Sequence, residues 1–288
     1  MREGDLLRNA VRELDVAALA GAVAVALEEA ASRLPRDYLA ALERAGERES
    51  TPLARDVIAT LLENARYAES EAIATCQDTG MAVLFVELGQ DVHLTGGDLR
   101  AALDEGVRRA YRDLRKSVVG DPLQRANTRD NTPAIVHVEI VPGDGVRIDA
   151  LMKGFGAEMM SRAAMLKPSQ GIDGVKTFVL DVVRSAGPNA CPPLIVGVGI
   201  GGSFDTVGLH AKRALLRPLG TPNAAPHLAA LEDELLAAIN ALGVGPQGLG
   251  GVTTALAVHV EAAATHIAAI PVAVNLNCSA PRRATVVL

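Results

Sequence analysis

ATCQDTGMAVLFV, residues 74–86, is where this chain changes character. A thiol, an amide, a carboxylate and a glycine stand side by side there. They run straight into a compact apolar stretch, 81–88, of strand length. Upstream the periodicity is helical. Residues 5–32 are rich in Ala, Leu, Val and Glu, with apolar positions every three to four. Pro35 interrupts that run, and 37–49 and 52–68 predict two further helices, the second with Thr51 as N-cap and Pro52 in its first turn. Residues 1–70 therefore read as a helical N-terminal segment.

Downstream, strands and helices alternate. Gly96-Gly97 breaks the chain before an amphipathic helix predicted over 98–115, with Asp98 near its start. Strands at 134–141 and 146–152 flank a turn at 143–145 and predict a hairpin. A helix over 171–186, a buried strand over 194–200 and a helix over 206–216 follow. A loop at 218–226, a helix over 227–242 and strands over 252–261 and 267–276 complete the pattern. The expected fold is α/β (α+β), with mixed sheets and flanking helices, as a single domain over 1–288. No internal repeat of solenoid period is visible.

Composition narrows the function. The 288 residues are 49% hydrophobic but only 2% aromatic, with no Trp, so the core is aliphatic. Charged residues make up 22% and the net charge is −6. With neither a basic face nor a stacking platform, a nucleic-acid partner is not expected. An anionic substrate needs locally placed cations, because the overall field repels it. The N-terminus lacks a signal-type apolar segment. The apolar stretch 17–27 is too short to span a bilayer. The stretch 252–276 is long enough but carries His259, Glu261 and His266, so no membrane span is expected. Three cysteines without a signal predict a reducing, cytoplasmic setting.

Cys76, Cys191 and Cys278 show no C-x-x-C spacing, which excludes a zinc ribbon or a thioredoxin motif. Isolated cysteines are usually small buried apolar residues. Here, however, each lies in turn chemistry at an element end: Thr-Cys-Gln-Asp-Thr-Gly, Asn-Ala-Cys-Pro-Pro and Leu-Asn-Cys-Ser. Three thiolates on three loops can carry a metal cluster. Since iron–sulfur clusters normally take four cysteines, three leave one iron open to substrate. GVGIGGS, 197–203, matches G-x-G-x-x-G, yet no acidic residue follows at the distance a dinucleotide site needs. A glycine turn permitting close approach to a cluster or anion is the preferred reading. Among the histidines, His266 is singled out, twelve positions before Cys278. Lys153-Gly-Phe-Gly156 and Leu114-Arg-Lys-Ser117 place cations beside turning backbone and alone read as surface charge.

Taken together, Cys76-Gln-Asp-Thr-Gly80, Lys153-Gly-x-Gly156, Cys191-Pro-Pro193 followed by Gly201-Gly202, and Asn277-Cys-Ser279 resemble the class I iron–sulfur fumarases and tartrate dehydratases, in that order along about 54–283. GPQGLGG and PVAVNLNC look closest to alpha subunits of two-subunit members. The resemblance implies a [4Fe-4S] cluster on Cys76, Cys191 and Cys278, with one substrate-accessible iron. It implies substrate contacts from Gln77, Asp78, Arg115 and Gly154, with His266 near the site and Asp78 and His266 in catalytic roles. It further implies reversible dehydration of (S)-malate to fumarate, a tricarboxylic acid cycle step. L(+)-tartrate dehydration to oxaloacetate is the alternative, and an NAD-binding dehydrogenase or a non-catalytic iron–sulfur subunit the more distant ones. Single-chain members continue past the point where this sequence stops. A separate beta subunit is therefore expected, which could hold the proton-abstracting base, in an α2β2 assembly or around an alpha-chain homodimer.

Overall fold

The structure is a computed structural model and describes residues 11–288. In chain order its elements are β1 (Arg12–Asp15), α1 (Val16–Ser32), α2 (Arg36–Arg48), α3 (Pro52–Ser70), β2 (Met81–Gly89), β3 (Val92–Thr95) and α4 (Leu99–Ala110). There follow β4 (Ile135–Val141), β5 (Val146–Lys153), α5 (Phe155–Met159), β6 (Arg162–Leu166), α6 (Gly171–Ala186) and β7 (Leu194–Gly202). The last are α7 (Val207–Ala214), α8 (Pro226–Asn240), β8 (Ala255–Thr265), β9 (Ile270–Asn277) and β10 (Arg283–Val287). Helices and mixed sheets make this an α/β fold. Two compact units emerge. The first contains the described residues up to Ala30, with Thr79–Met152 and Arg283–Leu288; the second contains Ala31–Asp78 and Lys153–Arg282.

The first unit is built on a four-stranded sheet of order β10-β5-β2-β4. β2 and β4 are parallel, Val83 lying opposite Ile135, and β10 is antiparallel to β5. Ala82–Val86 of β2 are all buried, as a continuous apolar run at the centre of a sheet requires. The expected 134–141/146–152 hairpin is therefore corrected: both strands form, but β2 lies between them. The reason is that the buried apolar run of β2 takes the central position and leaves β4 on the edge. β1 pairs with β3 in a short parallel ribbon, so the helix expected from residue 5 begins only at Val16; residues 5–10 lie outside the described residues. Asp98 caps α4, its Oδ1 accepting from Ala101 N at 2.8 Å. α4 stops at Ala110 rather than 115, and Lys116 turns back to donate to the carbonyls of Tyr111, Arg112 and Leu114.

The second unit has a mixed sheet of order β6-β9-β7-β8. β7 is parallel to β8 and antiparallel to β9. Side chains alternate across it. Leu194, Val196 and Val198 pack with Val179 and Val183 of α6 and Leu235 and Ile239 of α8. Ile195 points the other way, into a cluster with Tyr38, Leu42 and Ile58 from α2 and α3. Gly197 and Gly199 share that second face. A β-carbon on them would lie 2.1 Å from the Ala211 carbonyl and 2.3 Å from the Val207 carbonyl, both on α7. The glycine motif thus sits inside a strand and lets α7 lie directly on it. That replaces the expected loop around a cluster or anion, and it removes the phosphate turn on which a dinucleotide reading depends. Thr51 caps α3 as anticipated, with Oγ1 accepting from Ala54 N. β6 and β10 were not anticipated: each is a short edge strand without a clear apolar stripe. Among the described residues no helix is long and apolar enough to cross a membrane.

Candidate active site

Three loops of the second unit bring the cysteines to one cavity of about 340 Å³. Cys76 follows α3. Just before it, Thr75 is pinned by its N–H and Oγ1 to the Ala31 carbonyl at 2.9 and 3.1 Å. Its own carbonyl accepts from Asn64 Nδ2 at 3.1 Å. Cys191 ends the short 3-10 turn Gly187–Ala190 with a left-handed backbone, φ 54°. A non-glycine residue rarely adopts that conformation, and such strain concentrates at functional loops. Cys278 comes directly after β9.

The second and third loops are tied together. Ser279 N donates to the Cys191 carbonyl at 2.9 Å. Gln247 donates twice to the Pro192 carbonyl, through its N–H at 2.7 Å and Nε2 at 2.8 Å, and Nε2 also reaches Ser279 Oγ at 3.0 Å. Tyr38, fully buried, donates its hydroxyl to the Ser279 carbonyl at 2.7 Å. Gln247 and Tyr38 are site-building residues that sequence reasoning missed. The only signal for the first was its place within GPQGLGG.

The thiols influence one another. Burial pushes the Cys191 thiol up, and Cys278, Cys76 and Asp78 add to the rise. Among the described residues no three His, Cys, Asp or Glu side chains are arranged to grip a single metal ion.

Gln77, Asp78 and Gly154 line the same cavity. Asp78 Oδ2 accepts from the N–H groups of Phe155 at 2.7 Å and Gly156 at 3.4 Å, so its carboxylate is fixed against the start of α5. A β-carbon at position 154 would lie 3.2 Å from Asp78 Oδ2 and 3.5 Å from Arg282 Nη2. It would be tight against the carboxylate and in ordinary contact with the guanidinium. Arg282 is a further cavity-lining residue that sequence reasoning missed. His266 is exposed in the β8–β9 connection, where its Nδ1 accepts from Ala268 N. The whole of β9 separates it from Cys278, roughly 26 Å of strand. Arg115 belongs to the first unit and is exposed; its carbonyl accepts from Thr79 Oγ1 and Asn131 Nδ2.

Lys153 corrects an expectation. It is not surface charge but lies buried, its ammonium 2.8 Å from the Leu276 carbonyl and 3.2 Å from Glu158 Oε2. Lys212 approaches the other Glu158 oxygen at 2.5 Å, and Asn275 Nδ2 donates to Oε2 at 2.9 Å. A buried lysine needs such partners, and burial still pushes its pKa down against the pull of Glu158. For Glu158, burial works to raise the pKa, but the ammonium groups of Lys153 and Lys212 prevail and hold the carboxyl below its usual range. Glu158→Gln strands both lysines and is expected to cost about 3 kcal/mol at neutral pH, read by denaturant unfolding. Because the folded pKa is depressed, the stabilisation is present above the unfolded value of about 4.3 and disappears as pH falls through the folded one. The gap between wild type and variant should therefore narrow as the pH falls; a gap with no pH dependence across the acid range would show that Glu158 acts by packing.

The fold, the three thiols and the carboxylate beside the first of them define an enzyme-like cavity rather than a buried-cysteine core. The chain belongs to the fumarate hydratase (Fumerase) family, whose model matches residues 20–287. This is a hydro-lyase family. The chain is 40% identical over 264 residues to a putative L(+)-tartrate dehydratase subunit alpha of Methanocaldococcus jannaschii, covering 89% of this chain and 92% of that relative. It is 36% identical over 263 residues to the L(+)-tartrate dehydratase subunit alpha of Escherichia coli O157:H7, covering 89% and 86%.

Proposed function

We propose that this chain is the alpha subunit of an iron–sulfur hydro-lyase that dehydrates L(+)-tartrate to oxaloacetate. The observation that carries the reading is the shared cavity of Cys76, Cys191, Cys278, Gln77 and Asp78. The tartrate assignment is supported by the names of relatives matched over nearly their whole length. It places first the substrate that the sequence motifs placed second. Dehydration of (S)-malate to fumarate is the second reading, favoured by the name of the matching family.

The residues suit the cofactor. Cys76, Cys191 and Cys278 would hold a [4Fe-4S] cluster, which when bound supplies a Lewis acid for the departing hydroxyl. Asp78, held by two backbone N–H groups, keeps one oxygen in a constant place to take or give the proton on that hydroxyl. Gln77 offers an amide donor at the mouth of the cavity. Gly154 keeps the wall open between Asp78 and Arg282. Arg115 is assigned to a substrate carboxylate. His266, set apart from this cavity by β9, retains its assigned role only through another route to the site. A separate beta subunit completes the enzyme, and the reducing cytoplasm suits three free thiols.

The test is kinetic. The chain is assembled with its beta subunit and reconstituted anaerobically, and kcat/KM is measured on L(+)-tartrate and (S)-malate. The two differ by one hydroxyl, and a site built to bind that hydroxyl should prefer tartrate by roughly a hundredfold or more. A preference for malate moves the assignment to fumarase. Turnover of neither removes the hydro-lyase reading.

A further inference from the structure

Arg282 is 2% exposed, and its Nε, Nη1 and Nη2 are all buried without a hydrogen-bond partner. It is also among the residues that line the three-cysteine cavity. A guanidinium does not deprotonate inside a protein, so its charge persists wherever it is buried. A buried charge that nothing balances carries a heavy desolvation penalty. Buried or half-buried cations of the same unit each have a carboxylate partner: Lys153 and Lys212 share Glu158, and Arg217 pairs with Glu232 although its Nε makes no hydrogen bond. Arg282 alone among these three neighbourhoods is left with an unspent fork, and it is the one at the cavity wall.

A carboxylate close by, that of Asp78, is held through one oxygen by backbone groups. Asp78 Oδ2 serves the N–H groups of Phe155 and Gly156. Arg282 Nη2 and Asp78 Oδ2 both come within 3.5 Å of the point where a Gly154 side chain would begin. Cation and carboxylate therefore flank one glycine gap. A planar fork of N–H donors matches a carboxylate two bonds at a time, which a single ammonium cannot do.

We infer that Arg282 is a substrate-recognition residue: its guanidinium takes one carboxylate of the 2-hydroxy dicarboxylate. This rests on the hydro-lyase reading of the same cavity. It implies selectivity against analogues with an amide in place of that carboxylate, and it supplies the local cation that an acidic chain needs to admit an anion.

The experiment uses the assembled, cluster-loaded enzyme with Arg282→Lys and Arg282→Gln. Iron and sulfide content, the thermal melt, KM, kcat and calorimetric binding of L(+)-tartrate and succinate are measured. The expected result is unchanged iron and sulfide, with KM and the calorimetric Kd raised about 10- to 100-fold in Arg282→Gln and less in Arg282→Lys. A loss of cluster with unchanged affinity in the loaded fraction overturns the inference, because the charge then serves the thiolates. Unchanged affinity with unchanged cluster overturns it equally. If wild type turns over neither tartrate nor malate but binds the dicarboxylates, and Arg282→Gln does not, the hydro-lyase reading fails while the role of Arg282 stands.

Discussion

Replacing Cys191 with serine is expected to remove nearly all activity from the assembled enzyme, by roughly a thousandfold or more, and to lower its iron and sulfide content. Serine keeps the size of the side chain but presents a hard, poorly acidic oxygen where the proposed cluster would need a soft thiolate. The same substitution should leave the fold alone. Cys191 is exposed as a residue, its thiol only partly shielded, and it ends a turn whose backbone bond, Cys191 N to the Pro188 carbonyl at 2.9 Å, does not involve the thiol. The unfolding free energy of the cluster-free chain should therefore change by no more than about 0.5 kcal/mol. This pairing of results separates a ligand from a packing residue. Iron content equal to wild type would exclude Cys191 from cluster binding.

Replacing Asp78 with asparagine should lower kcat by roughly 10²- to 10⁴-fold, the range for loss of a positioned proton-transfer group, while iron content stays that of wild type. Asparagine is the informative choice. Its carbonyl oxygen still accepts from Phe155 and Gly156 as Asp78 Oδ2 does, so the start of α5 keeps its anchor and only the charge and the proton are lost. Alanine would lose the anchor as well. A kcat within threefold of wild type in the asparagine variant would reduce Asp78 to a structural cap.

Much of the fold was legible locally. Thr51 and Asp98 announced the helices they cap, and 171–186 was bounded correctly because Gly171 and Gly187 stand at its ends. Strand pairing was not legible. Residues 134–141 and 146–152 have the pattern of a hairpin, and nothing in either stretch says that β2 lies between them. The glycines of 197–202 have the spacing of a phosphate loop, and only their packing on α7 shows that they are a helix seat.

Of the candidate site, the sequence alone supplied the residue types. The three cysteines in turn contexts, and Gln77 and Asp78 beside the first, could be named because functional groups at element ends break the apolar periodicity around them. Tertiary structure decided which groups meet. It joined the Cys191 and Cys278 loops through Ser279 and Gln247, set His266 at the far end of β9 from Cys278, and buried Lys153 and Arg282. The physical reason is that a side chain's type is local, whereas its burial and its partners depend on contacts between residues far apart in the chain. An arginine reads the same on a surface and at a cavity wall until the fold shows what surrounds it.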